Sequence, residues 1–233
     1  MDTRDHEATL PWMRKGTTVF EDAVARLDDA GFAAPSLLPG WTRAHVIGHI
    51  ARNADGLARL AAWAETGVET PMYASPESRD TEIEASAAVA PAALRADLVA
   101  SGARLDAALD GLAGDAWDAP VRTLRGELTA AEIPWLRVRE VWLHAVDLAT
   151  GVGLDDLPAP LIDALITDVA DRLSESPDCP AVLLVPLDRG ETVRFGPGAT
   201  EPVEVTATAA DLLGWVTGRK PIPDLPVTLP RWI

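Results

Sequence analysis

Glu140 and His144 stand four residues apart in Pro134 to Gly151, PWLRVREVWLHAVDLATG. On a helix that spacing stacks two side chains with Cβ atoms about 6 Å apart, so a carboxylate and an imidazole can converge on one point, where a metal ion could sit. The pair lies among Trp135, Val138, Val141, Trp142, Ala145, Val146 and Leu148, which predicts a mostly buried helix. An unpaired ionised carboxylate in such a place is strongly unfavourable, so Glu140 requires a cation, an arginine or a proton. A hydrogen bond to His144, or an ion pair with Arg137 or Arg139, answers that need as well as a metal does.

A third ligand can come from a second helix, expected from about Arg43 to Glu65, whose apolar side carries Val46, Ile47, Ile50, Ala54, Leu57 and Ala61. His49 lies near the edge of that face. It reads either as a core histidine satisfied by a carbonyl or carboxylate, or as a ligand, because packed helix axes about 8–10 Å apart allow inward side chains to share one ion. His45, in the first turn beside Arg43, is expected to be solvated and is left out of the site. Asn53, one turn after His49, fits a supporting role or the surface equally well.

These residues need elements to position them. Residues 6–30 read as one helix with a weak start, loosened by Pro11 and Gly16. FAAPSLLPGW makes a turn, Thr42 caps the next helix, and Trp41 with Val46 forms a hydrophobic staple. Gly67 to Arg79 reads as a long surface connection around Tyr73; Arg79 ends it beside Asp80, where a surface salt bridge is the plain reading. A helical region from about Asp80 to Leu112 is bent or restarted at Pro91. VRTLRGEL is expected to be extended, and Thr129 with Glu132 forms a capping box, after which Pro134 delays the next helix. Four long helices in the first 150 or so residues make a bundle.

Beyond Gly151 and Gly153 the organisation changes. LDDLPAP reads as a linker, followed by a helix at about Leu161 to Ser174, then strands in AVLLVPL, TVRFG and VEVTAT. A last helix, Ala209 to Thr217, is capped by Thr208, and a proline-rich tail starts at Lys220. The fold class is therefore α+β, with a bundle over residues 1–152 and a smaller α+β domain over residues 153–233.

The 233 residues are 48% hydrophobic, enough for a buried core. A net charge of -16, with the basic residues scattered, opposes contact with nucleic acid or anionic membrane. The first 30 residues carry charges at Asp2, Arg4, Asp5, Glu7, Arg14 and Lys15 and lack the apolar run of a signal peptide, so a cytoplasmic location is expected. The single cysteine, Cys179, excludes an internal disulfide and reads as structural; a thiol needed for chemistry comes from outside.

LLPGWTRAHVIGHIARNADGLARL and EIPWLRVREVWLHAVDLATG resemble the mycothiol-dependent maleylpyruvate isomerase family, within the wider DinB/YfiT-like metalloprotein superfamily. The likeness covers the bundle well and the small domain more weakly. It implies a DinB-like four-helix bundle holding zinc through His49, Glu140 and His144, although nitrogen and oxygen ligands also suit nickel, iron or copper. It also implies a catalytic role for Arg219 in GWVTGRKP, with Arg79 as a second candidate. Without the resemblance, Arg219 simply complements a helix end past Gly218.

The reaction so implied is conversion of maleylpyruvate to fumarylpyruvate, a step of gentisate degradation, with mycothiol as the thiol. Three ligands leave a catalytic metal with open positions. A metal-bound thiolate would add to the cis double bond, allow rotation and leave again, while Arg219 and Arg79 hold the carboxylates. A mycothiol S-transferase or a non-catalytic metal-binding bundle would use the same triad. The partners expected are a small substrate and a low-molecular-weight thiol, and the chain is expected to be a monomer.

Overall fold

Helix α1 (His6–Ala25) starts where the Asp5 carboxylate accepts from the backbone amides of Glu7 and Ala8, at 3.0 and 3.2 Å. In this computed structural model, which describes Thr3 and residues 5–124 and 126–230, α1 continues through Pro11 despite the backbone donor proline lacks. It stops at Ala25, earlier than the hydrophobic spacing predicts, because Asp28 caps a separate short turn, α2 (Asp29–Phe32). Helix α3 (Arg43–Thr66) is capped by Thr42 and closed at Gly67, whose φ of 69° suits a residue without Cβ.

The expected helix from Asp80 to Leu112 is two helices, α4 (Pro76–Ala87) and α5 (Pro91–Gly111), each with a proline in its first turn, where no helical amide bond is lost. Ser75 caps α4, so Arg79 sits on a helix and does not end a loop. VRTLRGEL folds into an antiparallel hairpin, β1 (Pro120–Thr123) and β2 (Gly126–Thr129), with Arg125 outside the described residues. The Thr129–Glu132 capping box opens a 3-10 turn that runs directly into α6 (Ile133–Asp147). Pro134 causes no delay, since the start of a helix is where its geometry fits.

In the bundle, α3 packs on α5 and α6, α1 packs on α6 and α5, and α4 covers α3. The contact between α1 and α6 depends on Gly16. A Cβ built there would lie 2.5 Å from Trp142 Nε1 and 2.5 Å from Val141 Cγ2, and Trp142 Nε1 donates to the Trp12 carbonyl at 2.9 Å. The glycine that weakens α1 on propensity is what lets the two helices approach.

The chain divides into two compact units, 1–152 and 153–233. In the second, α7 (Ala159–Ser174) and α8 (Ala209–Val216) accompany a sheet of order β4-β3-β5, formed by Val182–Pro186 (β3), Val193–Phe195 (β4) and Val203–Ala207 (β5). β3 runs antiparallel to β4 and parallel to β5. LDDLPAP is not a free linker: Leu154–Asp156 form a 3-10 turn, and Leu154 is buried beside Gly214 of α8. The proline-rich tail is described as far as residue 230; residues 231–233 lie outside the described residues.

Substituting Gly16→Ala should lower the thermal unfolding midpoint by several degrees. Overpacking typically costs about 1–3 kcal/mol, against a gain of about 1 kcal/mol in helix propensity. A midpoint equal to or above that of the unsubstituted protein, read by circular dichroism, contradicts the close approach of α1 and α6.

Candidate metal centre

Two helices supply three side chains to one point. His49 projects from the buried face of α3, and Glu140 and His144 come from successive turns of α6. His49 Nε2 lies 2.9 Å and His144 Nε2 3.3 Å from the same oxygen, Glu140 Oε2. The two imidazole rings meet edge to face, with centroids 4.9 Å apart and planes at 86°. One ligand atom from each of the three residues falls within 4.8 Å of the others, the compass of one coordination sphere.

The electrostatics follow from burial and contact. Burial alone would push the Glu140 pKa up, but the hydrogen bonds from His144 and His49 and their charges outweigh it and hold the carboxyl well below its usual range. Burial pushes His49 down, and Glu140 offsets this only in part, so His49 favours the neutral ring. His144 moves the other way: burial opposes its charge, yet Asp147 and Glu140 together raise its pKa. The Asp147 carboxylate, fully buried, accepts from His144 Nδ1 at 2.8 Å. That bond fixes the ring and leaves Nε2 as the atom facing Glu140 and His49. A carboxylate oxygen with two imidazole nitrogens turned onto it is a donor set suited to a divalent cation, which would take the place of the protons now shared there.

The cluster has a supporting clamp. Arg137, one turn before Glu140, is 1% exposed and donates through Nη1 to the Ile50 carbonyl at 2.7 Å and to Asn53 Oδ1 at 2.8 Å. It does not form the ion pair with Glu140 that its spacing allows. Instead it joins α6 to α3 beside His49, and it buries Asn53, which the sequence leaves open between support and surface. Burial lowers the Arg137 pKa to about 10, so the group remains a cation at neutral pH.

Arg79 reaches the same cluster from α4. Its Nη1 pairs with Asp80 at 2.8 Å, as the sequence suggests, while Nη2 lies 3.5 Å from His49 Nδ1. Arg219 belongs to the second unit, after Gly218 (φ 72°), where its amide donates to the Gly214 carbonyl at 2.7 Å and its guanidinium reaches the Thr217 carbonyl at 3.4 Å. His45 stays outside the triad, though not as a solvated group: its Nδ1 accepts from the Thr42 amide to complete the capping box, and its Nε2 faces Glu84 at 3.2 Å. Trp41 lies against the His49 ring, 5.5 Å between centroids. Cys179 is buried, which pushes its thiol pKa up.

Two features lie outside the sequence analysis: the Asp147 carboxylate behind His144, and the α3 partners of Arg137, for which spacing offers Glu140 only as one alternative. The first had a signal, since His144 and Asp147 are three apart on a helix and a ligand histidine commonly holds a carboxylate through its other nitrogen. The second had none, because a backbone carbonyl on another helix leaves no mark in the sequence.

Comparison with known proteins identifies the family and the fold. Solved structures of the mycothiol-dependent maleylpyruvate isomerase and of a histidine-to-alanine mutant of it are each 34% identical to this chain, cover 97% of both chains, and superpose with TM-scores of 0.90 and 0.89. YfiT from Bacillus subtilis, described as a probable metal-dependent hydrolase with an unusual four-helix bundle topology, is 18% identical over 64% of this chain and 86% of its own, with a TM-score of 0.52, and shares the fold. An uncharacterised protein recorded in two strains of Mycobacterium tuberculosis is 32% identical over 56% of this chain and 51% of its own length, so the chain spans about half the length of these curated relatives. Residues 156–230 match the family model described as "MDMPI C-terminal domain". With residues 13–149 matching the "Mycothiol maleylpyruvate isomerase N-terminal domain", more than half of the sequence, the chain belongs to the mycothiol maleylpyruvate isomerase family.

Proposed function

We propose that this protein isomerises maleylpyruvate to fumarylpyruvate with mycothiol as a thiol that is returned unchanged, and that His49, Glu140 and His144 hold a divalent ion, zinc first, for the purpose. One observation carries the reading: a part-buried carboxylate oxygen with two imidazoles turned onto it from two helices, in a chain of this family. A divalent ion held by His49, Glu140 and His144 would favour the thiolate form of a thiol bound at the site, the nucleophile that reversible addition to a cis double bond would need.

The chain's own residues do the rest. His144 is kept in one orientation by Asp147, and Glu140 contributes one negative charge, leaving a bound divalent ion with a net positive field. Arg137 fixes the separation of α3 and α6 next to His49. Arg79, anchored on Asp80 and placed beside His49, offers its remaining guanidinium donors to a substrate carboxylate. In this proposal Arg219, in the second unit, is the other residue on which turnover depends, its guanidinium being suited to a carboxylate or a developing negative charge. The substrate is then held by its carboxylates while the bond between them is free to turn. The acidic surface suits a small-molecule substrate and thiol rather than nucleic acid, and no described helix is long and apolar enough to cross a membrane.

His49→Ala should lose the metal, read by elemental analysis of purified protein, whereas Arg219→Ala should keep it and lose about 10²–10³-fold in turnover. Normal activity in both variants refutes the assignment. With maleylpyruvate and a small amount of mycothiol, the trans product should accumulate far beyond the thiol supplied; one thiol consumed per turnover would mark a transferase instead. Because His144 titrates above its usual value of about 6.5, metal loading near that pH should expel on the order of one proton per ion, and fewer as the pH rises past the raised pKa. Calorimetry in two buffers of unlike ionisation enthalpy reads the number, and a value that stays near zero across this range contradicts ligation by His144.

A further inference from the structure

Tyr73 is the sole tyrosine of the chain, and the sequence places it on a surface connection. The structure puts it inside. It is 6% exposed, and its hydroxyl has no hydrogen-bond partner among the described residues. A buried hydroxyl left unpaired is unfavourable, so a tyrosine here is less favourable for folding than a phenylalanine of the same shape. A partner from outside the chain would satisfy it.

The path of the chain says where that partner would lie. Met72, just before Tyr73, is seated against Gly56 of α3, where a Cβ would come 3.2 Å from Met72 Cε, and the Met72 carbonyl accepts from Arg59 Nε at 3.0 Å. Gly56 is two turns after His49, on the same side of α3. Seven residues after Met72 the chain arrives at Arg79, whose guanidinium touches His49. Tyr73 therefore sits on the segment that climbs from Gly56 to the triad, with the Arg59 guanidinium 5.9 Å from its ring centroid. Burial is the main influence on its phenol, with Arg79 acting against the upward shift and Glu140 adding to it.

We propose that the Tyr73 hydroxyl is a substrate-binding hydrogen-bond donor of this site, which with the Arg79 guanidinium takes one carboxylate of a small dicarboxylic acid. The inference deepens the functional reading above and rests on it for the substrate class. Desolvation pushes the phenol pKa up to about 12, which keeps the group protonated, and so a donor, across the physiological range. A neutral donor next to a guanidinium suits a carboxylate with two acceptor oxygens: one oxygen takes the charged fork and the other the hydroxyl. The orphan hydroxyl then gains the partner it lacks within the chain.

Tyr73→Phe in the zinc-loaded protein tests this, with maleate as a stable cis-dicarboxylate probe. The expected result is an unfolding midpoint equal to or above that of the unsubstituted protein, unchanged zinc content, and maleate affinity lowered roughly tenfold to a hundredfold, about 1.4–2.8 kcal/mol. The Michaelis constant for maleylpyruvate should rise in parallel. A maleate affinity within twofold of the unsubstituted protein overturns the proposal, as does failure of the unsubstituted zinc protein to bind maleate at all. If the unsubstituted protein binds maleate but isomerises nothing, and Tyr73→Phe still weakens that binding, the isomerase reading falls and the role of Tyr73 stands.

Discussion

A carboxylate that enters a helical core must be met there by positive charge or by donors, and this requirement governs the geometry of the bundle around Glu140. Two nitrogens from two helices answer it at a single oxygen. The contact from His49, at 2.9 Å, crosses from α3 to α6, so the two helices cannot slide or rotate against each other without stripping a part-buried carboxylate of a donor. Tight packing elsewhere is then a condition for the site. The close approach of α1 to α6 at Gly16 sets the side of α6 opposite the triad, and the aliphatic face of α3 sets the depth of His49.

Arg137 shows how a buried cation is tolerated when its partner is not a carboxylate. A guanidinium removed from water needs donors filled: Nη1 finds a helix carbonyl and an amide oxygen on α3, each under 3 Å away, while Nε is left without a partner among the described residues. The charge itself is balanced at longer range, with Glu140 and Glu21 raising the pKa that burial lowers. This division leaves the oxygens of Glu140 to the two histidines. Had Arg137 closed onto Glu140 in a bidentate pair, the carboxylate would be occupied and the triad would have no shared acceptor.

Much of this was legible in the sequence because it depends on spacing. The four-residue separation of Glu140 and His144, the apolar face around His49, the Thr42 cap and the change of organisation after Gly153 are all local patterns, and local patterns survive without coordinates. The errors share a cause. LDDLPAP looks like a linker, but Leu154 finds a pocket beside Gly214, some sixty residues later. Tyr73 looks exposed between prolines, but its loop folds back onto a glycine of α3. His45 looks solvated in a first turn, but an imidazole nitrogen can replace the Glu or Gln of a capping box. In each case a distant or unusual partner overrode the composition of the segment itself.

The distribution of charge explains how so acidic a chain can serve an anionic substrate. At physiological salt, exposed charges are screened over about 8 Å, so the net charge of -16 acts mainly on large polyanions that touch much of the surface. A small dianion that enters a part-buried site meets instead the charges closest to it. Around the triad these are Arg79 and Arg137, against Glu140 and the enclosed Asp147. With both imidazoles neutral that set sums to zero, and a divalent ion bound there would add two positive charges, the sign a dicarboxylate needs. The global charge excludes the wrong class of partner, while the local charge selects the right one, and the two do not conflict because water and salt separate them.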